Sequence, residues 1–435
     1  MLYPRNKSKE LSEELFKNPT SEYRGAPFWA WNCKLKEEQL LRQIEQIKAM
    51  GMGGAHIHCR TGLATEYLGP EFMQLVKACN EKFKKEDMLC WLYDEDRWPS
   101  GAAGGIVTKE EKYRARFLVF SPNQYKKDEN KAEEEYIASG KVQRSNNRKL
   151  LGCYEVVLKD SKLNYYKRLE ENQKPEKGGK LWWAYLEVSG SNPWFNNQAY
   201  VNTLDKKAID RFIQITHEAY YKNIGEDFGK SIPAIFTDEP QFTHKESLGY
   251  SEEEKDVALP YTDDFDESYK KAYGDSVLEY LPELFWELGD DNVSLARYRY
   301  HDNISERFTT AFSDNIGNWC EKHNIMLTGH MMSEPTLESQ TSALGEAMKS
   351  YRSFQLPGID MLCDDREYTT AKQAQSAANQ YGRPGVISEL YGVTNWDFDF
   401  RGHKLSGDWQ AALGVTTRVH HLNWVSKLKE IILLL

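Results

Sequence analysis

The chain has 435 residues, of which 40% are hydrophobic and 28% are charged, and its formal net charge is −10. This composition is that of a globular protein and argues against a disordered chain. The acidic balance argues against a nucleic-acid partner, because phosphate binding requires a basic surface.

The cysteines and the apolar segments indicate where the protein works. Seven cysteines, an odd number without a CxxC pair, argue against a disulfide framework and a zinc site and favour a reducing compartment. Residues 1–18 contain no apolar segment of a signal peptide, and no apolar run is long enough to span a bilayer. We therefore expect a cytoplasmic protein that has no membrane partner.

Strand patterns alternate with helical periodicity through most of the chain. The segment 35–50 carries Leu40, Ile44 and Ile47 at helical spacing, and further helices are predicted at 295–322 and 341–351. Such alternation is typical of parallel strands with helices packed outside them. Eight strands are predicted, which suits a closed (β/α)8 TIM barrel of the α/β class; they lie at 23–32, 53–60, 88–96, 232–240, 326–332, 359–364, 385–391 and 419–426.

Two stretches interrupt the alternation. Residues 112–191 are predicted as a β-rich insertion after strand three, either with a function of its own or simply packed on the barrel. An acidic, loop-rich insertion is predicted at 243–287, after strand four. The barrel would then comprise 1–111 and 192–426. Its final stretch, 427–435, reads KLKEIILLL and is too short for a closing helix, so we expect a truncated, poorly soluble chain.

Two glutamates stand at the ends of predicted strands. Glu239 follows the apolar residues 234–236, and Glu389 follows 386–387. Barrel active sites lie at the carboxyl ends of the strands, and a buried acid there indicates a polar pocket. Two carboxylates facing one pocket are what glycosidic cleavage requires. The alternative for either residue is that it caps a helix or pairs with an arginine.

Residues in the loops after strands three and seven are candidates for substrate binding. Asp94 and Asp96 follow strand three and either bind sugar hydroxyls or Ca²⁺, or cap the loop at 97–105. Trp98 and Trp396 lie in loops, where an indole is either a platform for a sugar ring or a lid on neighbouring loops.

Three histidines raise a competing interpretation. His56 and His58 form an H-x-H pair on one face of strand two, and His330 ends strand five. They are either metal ligands or hydrogen-bonded barrel histidines, and His330 is also a candidate for binding a sugar hydroxyl. A metal-dependent hydrolase of the amidohydrolase type would use all three with a strand-end aspartate. A third hypothesis is a non-catalytic carbohydrate-binding fragment.

Several short motifs occur in a fixed order between about residues 26 and 426. They read PFWAWNCKLKEEQLLRQIEQIKAMGMGGAHIHCRTGL, WLYDEDRWPSGAAGG, FTDEP, LTGHMMSE, ISELYG and GDWQAALGVTTRVHHLNWVS. Together they resemble the α-L-rhamnosidase-like family of bacterial glycoside hydrolases.

The resemblance carries expectations about chemistry. It implies a catalytic barrel that acts on a carbohydrate with a terminal sugar, rhamnose being the leading candidate, with inversion and often with Ca²⁺ as a cofactor. It implies Glu239 of FTDEP as the acid, Glu389 of ISELYG as the base and Glu334 as a further carboxylate of the site. Members of that family usually continue past the last barrel strand, which this chain does not.

The roles of acid for Glu239 and base for Glu389 also predict the direction of their pKa shifts. Burial and neighbouring acids such as Asp238 should raise the pKa of Glu239, while an arginine or backbone donors should keep that of Glu389 low. An inverting site holds its carboxyls roughly 6.5–9.5 Å apart, and a retaining one about 5–5.5 Å.

Overall fold

A computed structural model describes residue 10 and residues 12–125, 144–145, 147–170, 173–290, 292–362 and 366–427. It contains fourteen strands within these ranges. In chain order they are β1 Phe28–Trp31, β2 Gly54–Cys59, β3 Leu89–Tyr93, β4 Arg116–Ser121, β5 Arg148–Lys159, β6 Lys162–Leu169, β7 Lys180–Val188, β8 Ala234–Asp238, β9 Val257–Pro260, β10 Met326–His330, β11 Leu356–Met361, β12 Ile387–Leu390, β13 Thr417–His420 and β14 Asn423–Trp424.

Nine of these strands form a parallel sheet that closes on itself. Its order is β13-β12-β11-β10-β8-β3-β2-β1-β14. The strands β13 and β14 are two pieces of the predicted eighth strand, interrupted at His421 and Leu422. The first piece pairs with β12 and the second with β1, so the broken strand joins the two edges. The prediction of an α/β barrel is confirmed, and its eighth strand is split.

Twelve α-helices connect and cover the strands. They are α1 Glu13–Lys17, α2 Glu37–Ala49, α3 Pro70–Lys85, α4 Lys206–Ile215, α5 His217–Ile224, α6 Phe265–Tyr273, α7 Leu295–Phe308, α8 Asp314–Lys322, α9 Leu337–Ala343, α10 Ala347–Tyr351, α11 Tyr368–Gln380 and α12 Phe400–Ala412. Among the described residues, none of them combines the length and apolar character that a bilayer crossing requires.

Two of the predicted helices differ in an informative way. The helix expected at 295–322 is continuous, with one π-helical turn at Thr309–Ser313 between α7 and α8. The helix expected at 341–351 is instead divided into α9 and α10. Gly345 lies between them with φ of +91°, a left-handed conformation that ends a helix.

A second sheet is antiparallel and has the order β6-β5-β7-β4-β9. Four of its strands come from residues 112–191, but β9 comes from the segment expected to be loop-rich. That segment also forms α6, so it is not simply a loop. One face of the sheet packs Phe120 between Trp182 and Phe285, in stacked pairs at 5.2 and 4.6 Å. Residues 126–143 and the tail at 428–435 lie outside the described residues.

Inside the barrel the core is aromatic. Phe28, Tyr93 and Phe236, from β1, β3 and β8, are all buried and touch one another edge-to-face or stacked. These three rings fill the barrel interior below the carboxyl ends of the strands, as layers of side chains do in closed barrels.

Candidate active site

A pocket opens where the barrel strands end. Its volume is about 870 Å³, within the range of pockets that enclose small-molecule ligands. Four carboxylates from three strands line it, namely Asp238 and Glu239 at the end of β8, Asp360 on β11 and Glu389 on β12. Parallel strands deliver these acids to one place because their carboxyl ends meet at the same rim.

The turn after β8 sets the position of Glu239. The strand is buried along its whole length, and Glu239 is the first residue beyond it. Its φ of 44° lies in the left-handed region, which is costly for a residue with a Cβ. Such strain is commonly stored at functional sites. The side chain is partly accessible, and it faces the pocket.

His330 contacts two of the pocket carboxylates, Asp238 and Glu389. Its Nε2 lies 2.9 Å from Asp238 Oδ1, and its Nδ1 lies 3.8 Å from Glu389 Oε2. The preceding residue must be Gly329, because a Cβ there would lie 1.8 Å from the carbonyl oxygen of Thr237. The close approach of β10 to β8 therefore brings the imidazole between the two glutamate-bearing strands.

Three of the four pocket carboxyls have a raised pKa and so favour the protonated form. Burial, followed by the charge of Asp360, raises the pKa of both Glu239 and Glu389 well above the usual range. Burial also raises the pKa of Asp360. The expectation of a low pKa for Glu389 is wrong for this arrangement. Arg60 and His330 act to lower it, but burial and the neighbouring carboxylate outweigh them.

The Asp238–His330 pair behaves in the opposite way. Burial lowers the pKa of His330, but the charges of Asp360, Asp238 and Glu389 outweigh it and the pKa is raised. Burial raises the pKa of Asp238, but the hydrogen bond from His330 outweighs it and the pKa is lowered. The site thus holds one ionised pair among three carboxyls that retain their protons more readily.

The loop after β3 is organised by its own acids. Glu95 accepts hydrogen bonds from the backbone N–H groups of residues 101–104, with distances of 2.8–2.9 Å for the first three. Asp94 accepts from the Ser100 hydroxyl at 2.5 Å, and that hydroxyl accepts from the Asp238 N–H at 2.8 Å. Asp96 pairs with the neighbouring Arg97 at 3.0 Å.

These contacts decide between the two interpretations of the loop acids. Asp94 is fully buried, and neither it nor Asp96 lines the pocket. In this conformation Asp94 reaches Asp238 through Ser100, Asp96 pairs with Arg97, and Glu95 caps the loop. The backbone N–H groups of the glycine-rich loop are therefore already satisfied and do not present an anion site.

Glu334 lies behind the pocket wall. It is 3% exposed and accepts hydrogen bonds from the Tyr351 hydroxyl at 2.6 Å, the Asp360 N–H at 3.1 Å and the Met331 N–H at 3.2 Å. These bonds tie the segment after β10 to β11. Burial raises the pKa of Glu334 to about 7. The structure places this carboxylate where it holds Asp360, not where it lines the cavity.

The two loop tryptophans both reach the pocket, in different ways. Trp98 is half-buried and packs edge-to-face against Trp194 at 5.0 Å between ring centroids. Trp396 is 85% exposed. Both line the cavity, and so do Trp194 and Trp424. The two interpretations of Trp98, platform and lid, are compatible, whereas Trp396 covers nothing.

Two groups of pocket side chains could hold a cation. Asp238, His330 and Glu389 offer ligand atoms within 4.8 Å of one another, and so do Glu239, His330 and Asp360. Asp360 Oδ1 is buried without a hydrogen-bond partner. Clustered carboxylate oxygens with a free buried acceptor fit a hard cation such as Ca²⁺, although the imidazole is not a ligand that Ca²⁺ prefers.

The H-x-H pair belongs to the core. His56 Nδ1 donates to the Ala26 carbonyl at 3.0 Å, and His58 stacks on Phe28 at 4.5 Å. Burial lowers the pKa of His56 to about 3. Neither histidine joins a metal-competent group among the described residues. The amidohydrolase arrangement, which needs both with His330, is therefore not formed.

Sequence reasoning missed two charged side chains that line the pocket. Asp360 was overlooked because strand six was predicted at 359–364, whereas β11 spans Leu356–Met361 and already ends near Asp360. Residue 364, where the predicted strand ends, lies outside the described residues. Arg60 directly follows β2 and lines the pocket. The strand-end rule applied to basic as well as acidic residues would have found it.

Comparison with known proteins supports the fold. No protein-family model matches the sequence, and no curated protein matches it. Among solved structures, a rhamnosidase from Novosphingobium sp. PP1Y superimposes with a TM-score of 0.64 at 12% identity, over 97% of this chain and 57% of that one. An endo-1,4-beta-mannanase from Rhizomucor miehei gives a TM-score of 0.42 at 8% identity, over 94% and 91%.

The rhamnosidase match shows a shared fold and no more, since the identity is low. This chain spans somewhat over half of that protein's length. The barrel is therefore established independently of the motifs, and the chemistry must be argued from the pocket.

Proposed function

We propose that the protein is a glycoside hydrolase that removes a terminal sugar, with Glu239 as general acid and Glu389 as general base. The observation that carries the proposal is the convergence of these two glutamates, from the ends of β8 and β12, on one pocket with His330 between their strands. Rhamnose is the leading candidate for the sugar, on the motifs and on the shared fold with a rhamnosidase.

Glu239 suits the acid role on two grounds. Its raised pKa keeps a proton available near neutral pH, which protonation of the leaving oxygen requires. It is also partly accessible, whereas Asp238 beside it is buried and engaged with His330 and with the Tyr93 hydroxyl at 2.6 Å. Of the two acids at the end of β8, Glu239 is the more accessible to a substrate, although its carboxyl also bonds to Asp360.

Glu389 as base must be ionised when it deprotonates water. Arg60 and His330 both favour its charged form. A hard cation held in the pocket would supply further positive charge; the side chains that could hold it form two groups, Asp238 with His330 and Glu389, and Glu239 with His330 and Asp360. Binding of the sugar at Glu239 and Asp360 would leave Glu389 facing the attacking water.

The stereochemical part of the proposal rests on the motif resemblance. Inversion needs a water between Glu389 and the sugar, and hence carboxyls roughly 6.5–9.5 Å apart. We expect a first-formed sugar of inverted configuration. NMR of the product in the first minutes of reaction tests this, and a retained anomer would overturn it.

A screen against aryl glycosides tests the activity itself. The purified chain is assayed with 4-nitrophenyl glycosides of several sugars, with and without Ca²⁺, after chelation. We expect release of nitrophenol from one sugar type, with α-L-rhamnose foremost. Absence of turnover on every glycoside, with binding of free sugar retained, would favour a non-catalytic carbohydrate-binding role instead.

A further inference from the structure

One edge of the pocket is formed by the segment between β12 and α12. It runs from Gly392 to Phe398 and follows the strand that carries Glu389. All of its residues except Asp397 line the cavity. The segment therefore adjoins the proposed base in the chain and borders the space in which a substrate would lie.

Both ends of this segment are anchored. Gly392 is buried, and a Cβ there would lie 2.7 Å from His421 Nδ1, so its backbone packs directly on the break in the last barrel strand. Phe398 packs against His403 of α12, with 4.7 Å between ring centroids. The part that can move is therefore the stretch between these anchors, residues 393–397, which we call the rim loop.

The rim loop is held by few interactions. Among the described residues, the hydrogen bonds of 392–398 are local: the Thr394 hydroxyl donates to the Tyr391 carbonyl at 2.6 Å, and the Phe398 N–H donates to the Asn395 carbonyl at 3.0 Å. Val393 is 80% exposed and Trp396 85% exposed. A segment with so few packed side chains and hydrogen bonds changes conformation at a low cost in free energy.

The start of the rim loop is strained. Tyr391 has a φ of 75° and Val393 a φ of 57°. The left-handed region is costly for any residue with a Cβ, and most of all for a β-branched one such as valine. Such strain persists only where the surrounding structure enforces it, as the anchored ends do here. A change of backbone conformation at Val393 would release it.

We infer that the rim loop is a lid that closes over a sugar bound in the pocket. Closure turns the backbone at Val393, places the Trp396 indole over the ligand and removes both apolar side chains from water. A closed lid also keeps bulk water away from the reacting bond. The inference rests on the proposed function, because it takes a sugar as the ligand that the lid covers.

Hydrogen exchange of the free and the sugar-saturated protein tests closure. The probe is the monosaccharide released in the aryl glycoside screen, with L-rhamnose used first. We expect the amides of 393–397 to exchange about tenfold more slowly when the sugar is bound. The turn at Asp160 and Ser161 is also exposed and left-handed, and its exchange should not change, so it is the internal reference.

Val393→Asn tests the contribution of strain. Asparagine tolerates the left-handed conformation, so this variant should stabilise the open loop, raise the free energy of unfolding and weaken sugar binding by about three- to tenfold. Val393→Ala removes the valine methyl groups but keeps a residue that disfavours this conformation, so it should weaken binding less. Ser161→Asn, at a φ of 60° between β5 and β6, is the matched control and should leave Kd unchanged.

The possible failures are distinguishable. If no sugar binds and no glycoside is cleaved, the proposed function is wrong and the lid with it. If a sugar binds but exchange at 393–397 is unchanged, or if Val393→Asn binds it as tightly as the parent chain, the lid alone is overturned. Equal weakening by Val393→Asn and Val393→Ala would also overturn it, because the valine would then act as a fixed contact.

Discussion

Two regions of the molecule bury charge, and they do so differently. On the outer face of the antiparallel sheet, Glu187 is fully buried and receives Arg144 in a two-point contact at 2.6 and 2.8 Å, with Arg148 at 2.8 Å. Asp256 beside it accepts from Arg144, Ser121 and Tyr125, each at 2.5 Å. Every carboxylate here is matched by donors.

In the pocket at the barrel mouth, by contrast, the buried carboxylates are not all matched by donors. Asp360 has a buried oxygen without a partner, and the pKa of Glu239, of Glu389 and of Asp360 is raised, by burial first. In the sheet, by contrast, the pKa of Asp256 is lowered, because the donors of Ser121, Tyr125 and Arg144 outweigh burial. The sheet thus satisfies these two buried acids with its own donors, whereas the pocket leaves Asp360 with a buried oxygen that a ligand can contact.

The largest effect is expected for Glu389→Gln. Without its base the attacking water is not activated, so kcat/KM should fall about 10³–10⁴-fold on every glycoside, whatever its leaving group. The free energy of unfolding should stay the same or rise, since a buried carboxyl whose pKa is raised by burial is replaced by a neutral amide. Urea unfolding and steady-state kinetics measure the two; a variant that is both active and destabilised would assign Glu389 to the structural class.

Glu239→Gln should lower activity selectively. We expect kcat/KM to fall about 10²–10³-fold on glycosides with poor leaving groups and much less on 4-nitrophenyl glycosides, which depart without protonation. A series of leaving groups of graded acidity gives the comparison. Intact turnover of an unactivated disaccharide by this variant would show that Glu239 is not the acid.

Arg144→Ala should show the converse pattern. It leaves Glu187 buried with only part of its donors, and removal of one partner from a buried ion pair destabilises by about 3 kcal/mol. Activity measured well below the melting temperature should remain near that of the parent chain, because Arg144 does not line the carboxylate pocket. As a control, Arg401→Ala removes a side chain that is 93% exposed and should change stability by no more than about 0.5 kcal/mol.

The barrel was predictable because its signals are local. Alternating strand and helix periodicity, with acids at strand ends, predicted that Glu239 and Glu389 face one pocket. The split of the last strand was not predictable, because 419–426 reads as one β-rich run and the break at His421 and Leu422 depends on which edge each piece meets.

The side chains that line the pocket were harder to predict than the ends of the strands. Past a strand end the alternation of side chains no longer says which way each one points. Asp94, Asp96 and Glu334 each follow a strand, yet Asp94 and Glu334 bond to neighbouring protein groups and Asp96 pairs with Arg97. Their partners are side chains and backbone groups whose positions depend on the folded loop. Sequence patterns identify acids, but only the folded contacts tell satisfied acids from available ones.

The smallest effect, and the finest test of that distinction, is the pH dependence at Asp256. The folded pKa of Asp256 lies below its ordinary value of 3.8. An acid with a depressed pKa stabilises the fold fully above its unfolded pKa and loses that contribution as the pH falls through the folded pKa. Asp256→Asn should therefore cost about 1–2 kcal/mol near neutral pH, and this difference from the parent should shrink below about pH 4.

Urea unfolding of both chains between pH 7 and pH 3 measures that difference directly. A gap that stays constant down to pH 3 would mean that Asp256 acts through its shape and hydrogen bonds and not through its charge. The same titration on Glu389→Gln should show no such loss at acid pH, because Glu389 in the parent favours its protonated form already. The two acids would then differ in the sign of their linkage, as the satisfied and unsatisfied regions predict.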